Sequence, residues 1–199
     1  RNIKRERKYL EKYGIKVSVK NGKEINLESM QLMHSFYEKH CAKWGAWGSK
    51  YLTEGFFEEL SSCKHRENVV LFIAKDNNDS DPLGMSLCIK NKDMLWGRYW
   101  GCQEEIDFLH FELCYYSPIN WALEKGINNF DPGAGGSQKR RRGFMAKEQL
   151  SLHKWYEPRM DKLIRLWLPK VNELMKKEIK ATNNEVPFKL EQPKLSLKG

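Results

Sequence analysis

One short stretch of the sequence holds several side chains that can perform acid–base chemistry. Glu104, Glu105 and Asp107 precede a predicted helix on which His110 and Tyr115 lie. A histidine near carboxylates can accept a proton at neutral pH, and a phenol can return one. The alternative is that His110 only forms a hydrogen bond within a packed helix and that Tyr115 belongs to the core. The stretch predicts either a proton-transfer site or an ordinary helix start.

The same carboxylates restrict the ligand that this helix start would accept. Unpaired backbone N–H groups at a helix start attract anions. Here three carboxylates repel a phosphate, which favours an amine-bearing partner. Asp107 is expected to cap the helix. The side of the helix that faces the core is expected to comprise Leu109, Leu113, Tyr116 and Leu123.

A second stretch combines glycines with cations. Gly133 and Gly135 shortly precede the run of Lys139, Arg140, Arg141 and Arg142. Glycines permit close backbone approach and positive φ, and the cations can hold phosphate oxygens. The stretch is neither a Walker loop nor a Rossmann fingerprint. A solvated surface remains the alternative interpretation of the same cations.

Hydrophobic periodicity predicts the elements that must position these two stretches. The predicted helices are residues 2–13, 27–42, 54–64, 108–125 and 161–181, and the predicted strands are 15–19, 68–75, 83–90, 94–100, 127–131 and 149–156. Short turns between the middle three strands imply an antiparallel meander, and the helix before 127–131 implies a parallel crossover. The expected fold class is α/β (α+β), with a mixed, mostly antiparallel sheet flanked by helices.

Composition limits the class of protein. The 199 residues are 40% hydrophobic and 12% aromatic, which is sufficient for one domain with a core. The longest apolar run, residues 69–74, is far shorter than the roughly 18–20 residues of a membrane span. Five scattered cysteines without a Cys-x-x-Cys pair argue against a disulfide scaffold or a zinc site and favour a cytoplasmic protein. Because the first residue is Arg1, we expect the chain to be a piece of a longer protein.

The net charge of +9 is unevenly distributed along the chain. Basic residues are concentrated in residues 1–20 and in the run 139–142, whereas residues 21–138 are acidic overall. Separate cationic segments of this kind matter for a polyanionic partner.

Several motifs occur together in one known family. They are Gly97-Arg98-Tyr99-Trp100-Gly101-Cys102, Leu109-His110-Phe111-Glu112, Cys114-Tyr115-Tyr116, Pro132-Gly133-Ala134, Lys139, Arg142-Gly143-Phe144 and His153. Through them the chain resembles the FemAB-like predicted N-acyltransferases of the GNAT superfamily, of the peptidoglycan biosynthesis/recognition type. The resemblance extends to about residue 188, and the block from 97 to 144 is the most specific part.

The resemblance implies a GNAT-like sheet with splayed central strands, in which the fourth and fifth strands separate to admit a donor. Residues 1–14 would be a linking helix, 15–181 the acyltransferase domain and 182–199 an extended C-terminal tail. The implied reaction moves an acyl or aminoacyl group to an amine acceptor. Acyl-CoA or aminoacyl-tRNA would be the co-substrate, with no permanently bound cofactor and no metal. An upstream GNAT half would be a partner. Independently of the resemblance, the apolar face of the predicted helix 161–181 fits either the interface of a homodimer or the core.

Candidate site residues follow from these two lines of reasoning. The catalytic candidates are Glu104, Glu105, His110 and Tyr115; the donor- or phosphate-binding candidates are Gly101, Gly133, Gly135, Lys139, Arg140 and Arg142; the substrate-binding candidates are Trp100, Glu112 and His153. Backbone amides near Trp100 and Gly101 would hold the oxyanion of the transferred group.

Two departures from the family pattern leave an alternative function open. Relatives commonly carry an acid and a histidine where this sequence has Ser137 and Gln138. The Gln/Arg-x-x-Gly-x-Gly/Ala loop of acetyl-CoA-dependent relatives is replaced by residues 102–105, which argues against simple acetyl-CoA use. The alternative is a catalytically silent GNAT-like module that binds tRNA or another polyanion, or that pairs with a second GNAT half. Lys and Arg contacts to phosphates dominate the affinity for RNA.

Overall fold

The computed structural model describes residues 2–45, 48, 50–62, 64–78 and 81–185. Its internal contacts divide the chain into two units, Arg1–Gly133 and Ala134–Gly199. None of the described helices is both long enough and apolar enough to cross a membrane.

The first unit contains five strands and four helices among its described residues. The helices are α1 (Asn2–Lys12), α2 (Leu27–Ala42), α3 (Glu54–Ser62) and α4, and the strands are β1 (Lys16–Asn21), β2 (Val69–Lys75), β3 (Gly84–Lys90), β4 (Met94–Cys102) and β5 (Asn129–Asp131). Helix α4 is a composite of the segments Leu109–Phe111, Glu112–Tyr116 and Ser117–Glu124, and its middle segment is π-helical. Short 3₁₀ turns cover Gly22–Glu24 and Lys64–Asn68.

The strands form one sheet in the order β1-β2-β3-β4-β5. The first three pairings are antiparallel and the last is parallel, which confirms the predicted mixed, mostly antiparallel class. Each face of the sheet carries its own core. Helices α2 and α3 cover one face, with Met33 and Phe36 packed against Leu71. Helix α4 covers the other, with Leu113 packed against Phe72.

Strands β4 and β5 pair over only three residues. The ladder joins Met94–Trp96 to Asn129–Asp131, and β4 then continues to Cys102 without a strand partner on that side among the described residues. Pro132 follows β5 directly and has no N–H to extend the ladder. The limited pairing agrees with the predicted divergence of these strands. Its place differs, because β5 lies at the edge of the described sheet and not at its centre.

A β-bulge interrupts β4 at Arg98. Tyr99 pairs with Leu87 and Gly97 pairs with Cys88, so Arg98 is an extra residue on one strand. A bulge of this kind bends the strand and redirects the side chain of the inserted residue.

The start of α4 differs from the prediction. Phe108, not Asp107, occupies the N-cap position, with a φ of 68° and no side-chain cap hydrogen bond. The π-helical turn that follows shifts the face of the helix by one residue. Glu112, Tyr115 and Tyr116 are buried, whereas Leu123 is 72% exposed, so its assignment to the core was wrong.

The second unit contains two helices among its described residues, α5 (Ser137–Arg140) and α6 (Pro158–Asn184). The predicted strand at 149–156 is wrong. These residues form no strand, and the side chains of Leu150 and Leu152, expected to be buried, are each 90% exposed. Helix α6 extends beyond the predicted 161–181 and takes in the first residues of the expected tail. The remainder of that tail, from 186 onward, lies outside the described residues.

Candidate active site

The end of β4 lies directly against the backbone of α2. A Cβ atom on Gly101 would stand 2.2 Å from the carbonyl oxygen of Phe36 and 2.5 Å from its carbonyl carbon. Only glycine permits so close an approach. The contact brings the second half of α2 against the end of β4, so Gly101, predicted to bind the donor, is a packing residue in the structure of this unit.

Two histidines contact the indole of Trp100 at this strand end. The ring centroid of His40, on α2, lies 5.2 Å from that of Trp100, and the ring centroid of His110, on α4, lies 4.6 Å from it. The two imidazoles come from helices that cover opposite faces of the sheet, and both contact the same indole. Trp100 lies near the end of β4, in the part of the strand that β5 does not pair.

His40 is the residue that the sequence analysis missed. Burial, together with repulsion from the nearby Lys43, lowers its pKa from the usual value. The neutral imidazole is therefore favoured, which is the form that accepts a proton. No spacing signal marks His40, because its proximity to Trp100 depends on the contact between Gly101 and α2.

Tyr115 extends the cluster on the α4 side. Its ring lies edge-on to His110, with centroids 5.4 Å apart, and stacks on Phe111 at 6.1 Å. Tyr115 is buried, at 4% exposure. The structure thus brings together three of the predicted site residues, Trp100, His110 and Tyr115.

The two predicted acids lie on the surface after β4. Glu105 accepts a hydrogen bond from Lys43 Nζ at 2.9 Å, and this ammonium lowers the pKa of the Glu105 carboxyl. A carboxylate that is paired and more acidic than usual is a weaker base. Glu104 is exposed. Cys102, which feels the charges of both Lys43 and Glu105, is buried, and burial raises the pKa of its thiol.

Glu112, predicted to bind substrate, belongs to a buried polar network. Its carboxylate accepts hydrogen bonds from Arg7 Nε at 3.1 Å and from Ser117 Oγ at 2.8 Å. One turn along α4, Tyr116 donates a hydrogen bond to Glu6. These contacts attach α1 to the π-helical turn of α4.

The glycine-rich and cationic stretch makes mainly local contacts. Gly133 N donates to Asp131 Oδ1 at 2.8 Å at the end of the first unit. In the second unit, Gly135 is exposed with a φ of 68°, and Lys139 Nζ donates to the carbonyl of Ala134 at 2.7 Å.

The other predicted residues of the second unit also have partners within it. Arg140 forms an ion pair with Glu185 at 2.7 Å, and Arg142 donates to the carbonyl of Gln138 at 3.1 Å. His153 is exposed, lies 2.9 Å from Ser151 Oγ and stacks on Trp155.

The described residues contain no cluster of His, Cys, Asp or Glu arranged to hold a metal ion. The described cysteines are free thiols, namely Cys41, Cys88, Cys102 and Cys114. The candidate site combines imidazole and phenol groups with a strand edge that no described strand pairs.

Comparison with known proteins gives one match over most of the chain. A family model described as FemAB-like, peptidoglycan biosynthesis/recognition, matches residues 1–190. No curated protein matches the chain.

Solved structures with similar folds are mostly acetyltransferases. An aminoglycoside acetyltransferase from an uncultured soil metagenomic sample, in complex with sisomicin, is 13% identical and covers 74% of this chain and 98% of its own, with a TM-score of 0.49. An aminoglycoside N-acetyltransferase in complex with CoA is 15% identical and covers 72% and 95%, with a TM-score of 0.45. A possible acetyltransferase from Clostridium difficile 630 is 7% identical and covers 72% and 99%, with a TM-score of 0.46.

Proposed function

The chain belongs to the FemAB-like family, and from this premise we propose that it is an N-acyltransferase. It would move an acyl or aminoacyl group from a CoA thioester or an aminoacyl-tRNA to an amine acceptor. The observation that carries the proposal is the edge of β4 beyond Trp96, which no described strand pairs and where His40 and His110 both contact Trp100.

The unpaired strand edge supports a role in holding the donor. Alternate backbone N–H groups of residues 97–102 point away from β3, because strand residues direct their hydrogen-bonding groups to the two sides in turn. Such donors can bind the carbonyl oxygen of the transferred group and stabilise the negative charge that develops on it. Their position is set by the sheet before the donor arrives, so little reorganisation is needed.

The histidines and Tyr115 support the proton transfers. The amine nitrogen attacks the carbonyl carbon, and its proton passes to His110 or, on the other side of Trp100, to His40. The C–S or C–O bond to the donor then breaks, and the leaving thiolate or alkoxide takes that proton from the imidazolium, either directly or through Tyr115, which passes on its own proton and receives the one from the imidazolium. Acid–base assistance of this kind contributes about 10²–10⁴-fold to the rate.

The remaining predicted residues take supporting roles in this proposal. Lys139, Arg140 and Arg142 would bind the donor phosphates, with Gly133 and Gly135 allowing close backbone approach. Glu105 orients Lys43, and Glu104 adds a negative charge that attracts a protonated amine. Glu112 holds α4 in place through Arg7. His153 would contact the acceptor.

Transfer of labelled acyl groups from CoA thioesters and from charged tRNA tests the proposal. His110→Gln should lower kcat by about 10²–10⁴-fold with one class of donor. His65→Gln is the matched control, because His65 is an exposed histidine on a 3₁₀ turn outside the site. Equal transfer by both variants, or no transfer from any donor by the unaltered protein, would contradict the proposed chemistry.

One observation favours a second candidate, a catalytically silent module that binds tRNA or another polyanion. The loop carries Ser137 and Gln138 where relatives commonly have an acid and a histidine, and the residues from Gly133 to Gln138 that precede its cations are exposed. Filter binding of tRNA over a range of salt concentrations separates the two candidates. A steep loss of affinity with salt and no stabilisation by acyl-CoA would favour the silent module.

A further inference from the structure

The middle segment of α4 contains a turn that is one residue wider than an α-helical turn. The Ser117 N–H donates to the carbonyl of Glu112, five residues earlier, whereas the N–H groups of an α-helix donate to the carbonyl four residues earlier. Such π-helical turns are rare and mostly occur as single turns inside α-helices. Neighbouring polar groups stabilise this one, from the sheet and from within the helix itself.

The carbonyl of Leu113 loses its α-helical partner at this turn. Its usual donor, the Ser117 N–H, bonds to Glu112, and the next residue, Pro118, has no N–H. The hydroxyl of Ser86, on β3, donates to the Leu113 carbonyl instead, at 2.6 Å. Ser86 is 2% exposed, and a buried carbonyl without a donor costs free energy. Ser86 therefore compensates for the bond that the π-helical turn removes.

A side-chain bond spans the same five residues as the backbone bond. Ser117 Oγ donates to Glu112 Oε1 at 2.8 Å, and Arg7 Nε, on α1, donates to the other carboxylate oxygen at 3.1 Å. Glu112 and Ser117 are 6% and 8% exposed. Residues five apart in an α-helix point in directions about 140° apart around the axis. The side-chain bond therefore favours the π-helical turn over an α-helical one.

The wider turn also determines which rings meet. His110 and Tyr115 are five residues apart, so a regular α-helix would turn them away from each other. Their rings are instead in edge-on contact, with centroids 5.4 Å apart. Tyr115 is 4% exposed, so its ring has little room to follow a change in the helix. The contact between the imidazole and the phenol ring therefore depends on the π-helical turn.

We propose that Ser86 and Ser117 are positioning residues, which hold the π-helical turn and so keep Tyr115 against His110 for proton transfer. This inference rests on the proposed function, in which these two rings carry the proton to the leaving group. Each serine acts through another group, Ser86 through the carbonyl of Leu113 and Ser117 through the carboxylate of Glu112.

Nuclear magnetic resonance of the histidine ring protons tests the inference without any substrate. The chain has five histidines, and the signal that is missing in His110→Gln is that of His110. The rings of Trp100 and Tyr115 both contact this imidazole and shift its signal. In Ser117→Ala the signal should move toward its position in Tyr115→Leu, because the phenol ring leaves the imidazole. Ser117→Thr retains the hydroxyl and should keep the signal in place.

Ser86→Ala disturbs the same turn from the sheet. It leaves the Leu113 carbonyl buried without a donor, so the His110 signal should move in the same direction as in Ser117→Ala. Ser61→Ala is the matched control, because Ser61 is also buried and its hydroxyl donates to a carbonyl of its own helix, α3, at 2.6 Å. This control should leave the His110 signal unchanged. Since the two test variants act on the turn from different sides, the measurement remains decisive if one of them does not fold.

The transfer assay provides a second measurement. Ser117→Ala should lower kcat about 10- to 100-fold and leave the KM values unchanged, as expected for a displacement of about 1 Å at a reacting group. An unmoved His110 signal in both Ser86→Ala and Ser117→Ala overturns the inference. A shift in Ser61→Ala, or in Ser117→Thr, as large as that in Ser117→Ala also overturns it, because the signal would then not depend on the hydroxyl at this turn.

The inference and the proposed function fail separately. If the His110 signal moves as expected but no donor supports transfer, the two serines hold the rings together and the proposed reaction is wrong. If transfer occurs and kcat is unchanged in Ser117→Ala, the reaction stands and the positioning role is wrong.

Discussion

The end of β4 and the cationic loop are built in opposite ways. At the end of β4, contacts join residues far apart in sequence: Lys43 to Glu105 across 62 positions and Lys39 to Gln103 across 64. In the loop, Lys139 and Arg142 bond to residues five and four positions away. The first region obtains its geometry from the packing of the sheet, whereas the second combines these local hydrogen bonds with the ion pair between Arg140 and the exposed Glu185. A catalytic role is better supported in the first, because catalysis requires fixed positions.

The largest expected contrast between the two regions is kinetic. The double variant His40→Gln/His110→Gln removes both imidazoles beside Trp100, so kcat should fall by about 10²–10⁴-fold. Lys139→Ala removes one phosphate contact, so the KM for the donor should rise about tenfold while kcat stays near its original value. Steady-state kinetics with the active donor measures both. A fall in kcat for Lys139→Ala alone would reverse the assignment of the two regions.

Glycines give the next contrast, in stability. Gly101→Ala should lower the free energy of unfolding by about 3 kcal/mol, because the new methyl group overlaps the backbone of Phe36. Gly135 has open space around it, so Gly135→Ala should lower the free energy of unfolding by only about 1 kcal/mol, the cost of a side chain at a φ of 68°. Urea denaturation compares the two. Equal losses would mean that α2 does not lie against β4 as described.

Ion pairs give a smaller contrast. Arg7→Met leaves the buried Glu112 with Ser117 as its remaining partner, and should cost about 1–2 kcal/mol of unfolding free energy because water reaches Arg7 in part. Arg140→Met breaks a pair whose Glu185 partner is 61% exposed, and should cost about 0.5 kcal/mol. The same urea denaturation serves as the measurement, and a larger loss for Arg140→Met would contradict the description of both pairs.

The smallest effect is a dependence on pH. The pKa of His40 is lowered in the folded protein, so between that pKa and the ordinary value near 6.5 the unfolded chain binds more protons. Stability should therefore rise with pH through this window and then level off. In His40→Gln this part of the slope should be absent. Denaturation midpoints between pH 5 and pH 8 provide the measurement, and an unchanged slope would show that His40 is not desolvated.

The elements of the first unit could largely be predicted from the sequence. Helix α2 begins and ends at the predicted residues, and β2, β3 and β4 lie within two residues of their predicted bounds, because their apolar spacing is regular. The bulge at Arg98 was not predicted, since an inserted residue leaves no mark in the apolar pattern.

The candidate site could be predicted only in part. Trp100, His110 and Tyr115 lie close together because they are near in sequence, at the junction of β4 and α4. His40 was missed because its position beside Trp100 depends on the backbone contact between Phe36 and Gly101, which are 65 residues apart in the chain. The sequence marks that contact with a single glycine. The apolar alternation of residues 149–156 misled for a different reason: a strand pattern forms a strand only where another strand pairs with it, and no described residue pairs with 149–156.

The contact between Gly101 and Phe36 has a consequence for the substitutions that the molecule can tolerate. Helix and strand meet there through main-chain atoms, so no exchange of side chains can bring them closer, and any enlargement at that position pushes the helix outward. The distance from the α2 imidazole to the strand therefore depends on this glycine. The side chains of α3 and of the bulge are not fixed by this contact, so substitution can change that side of the sheet more freely.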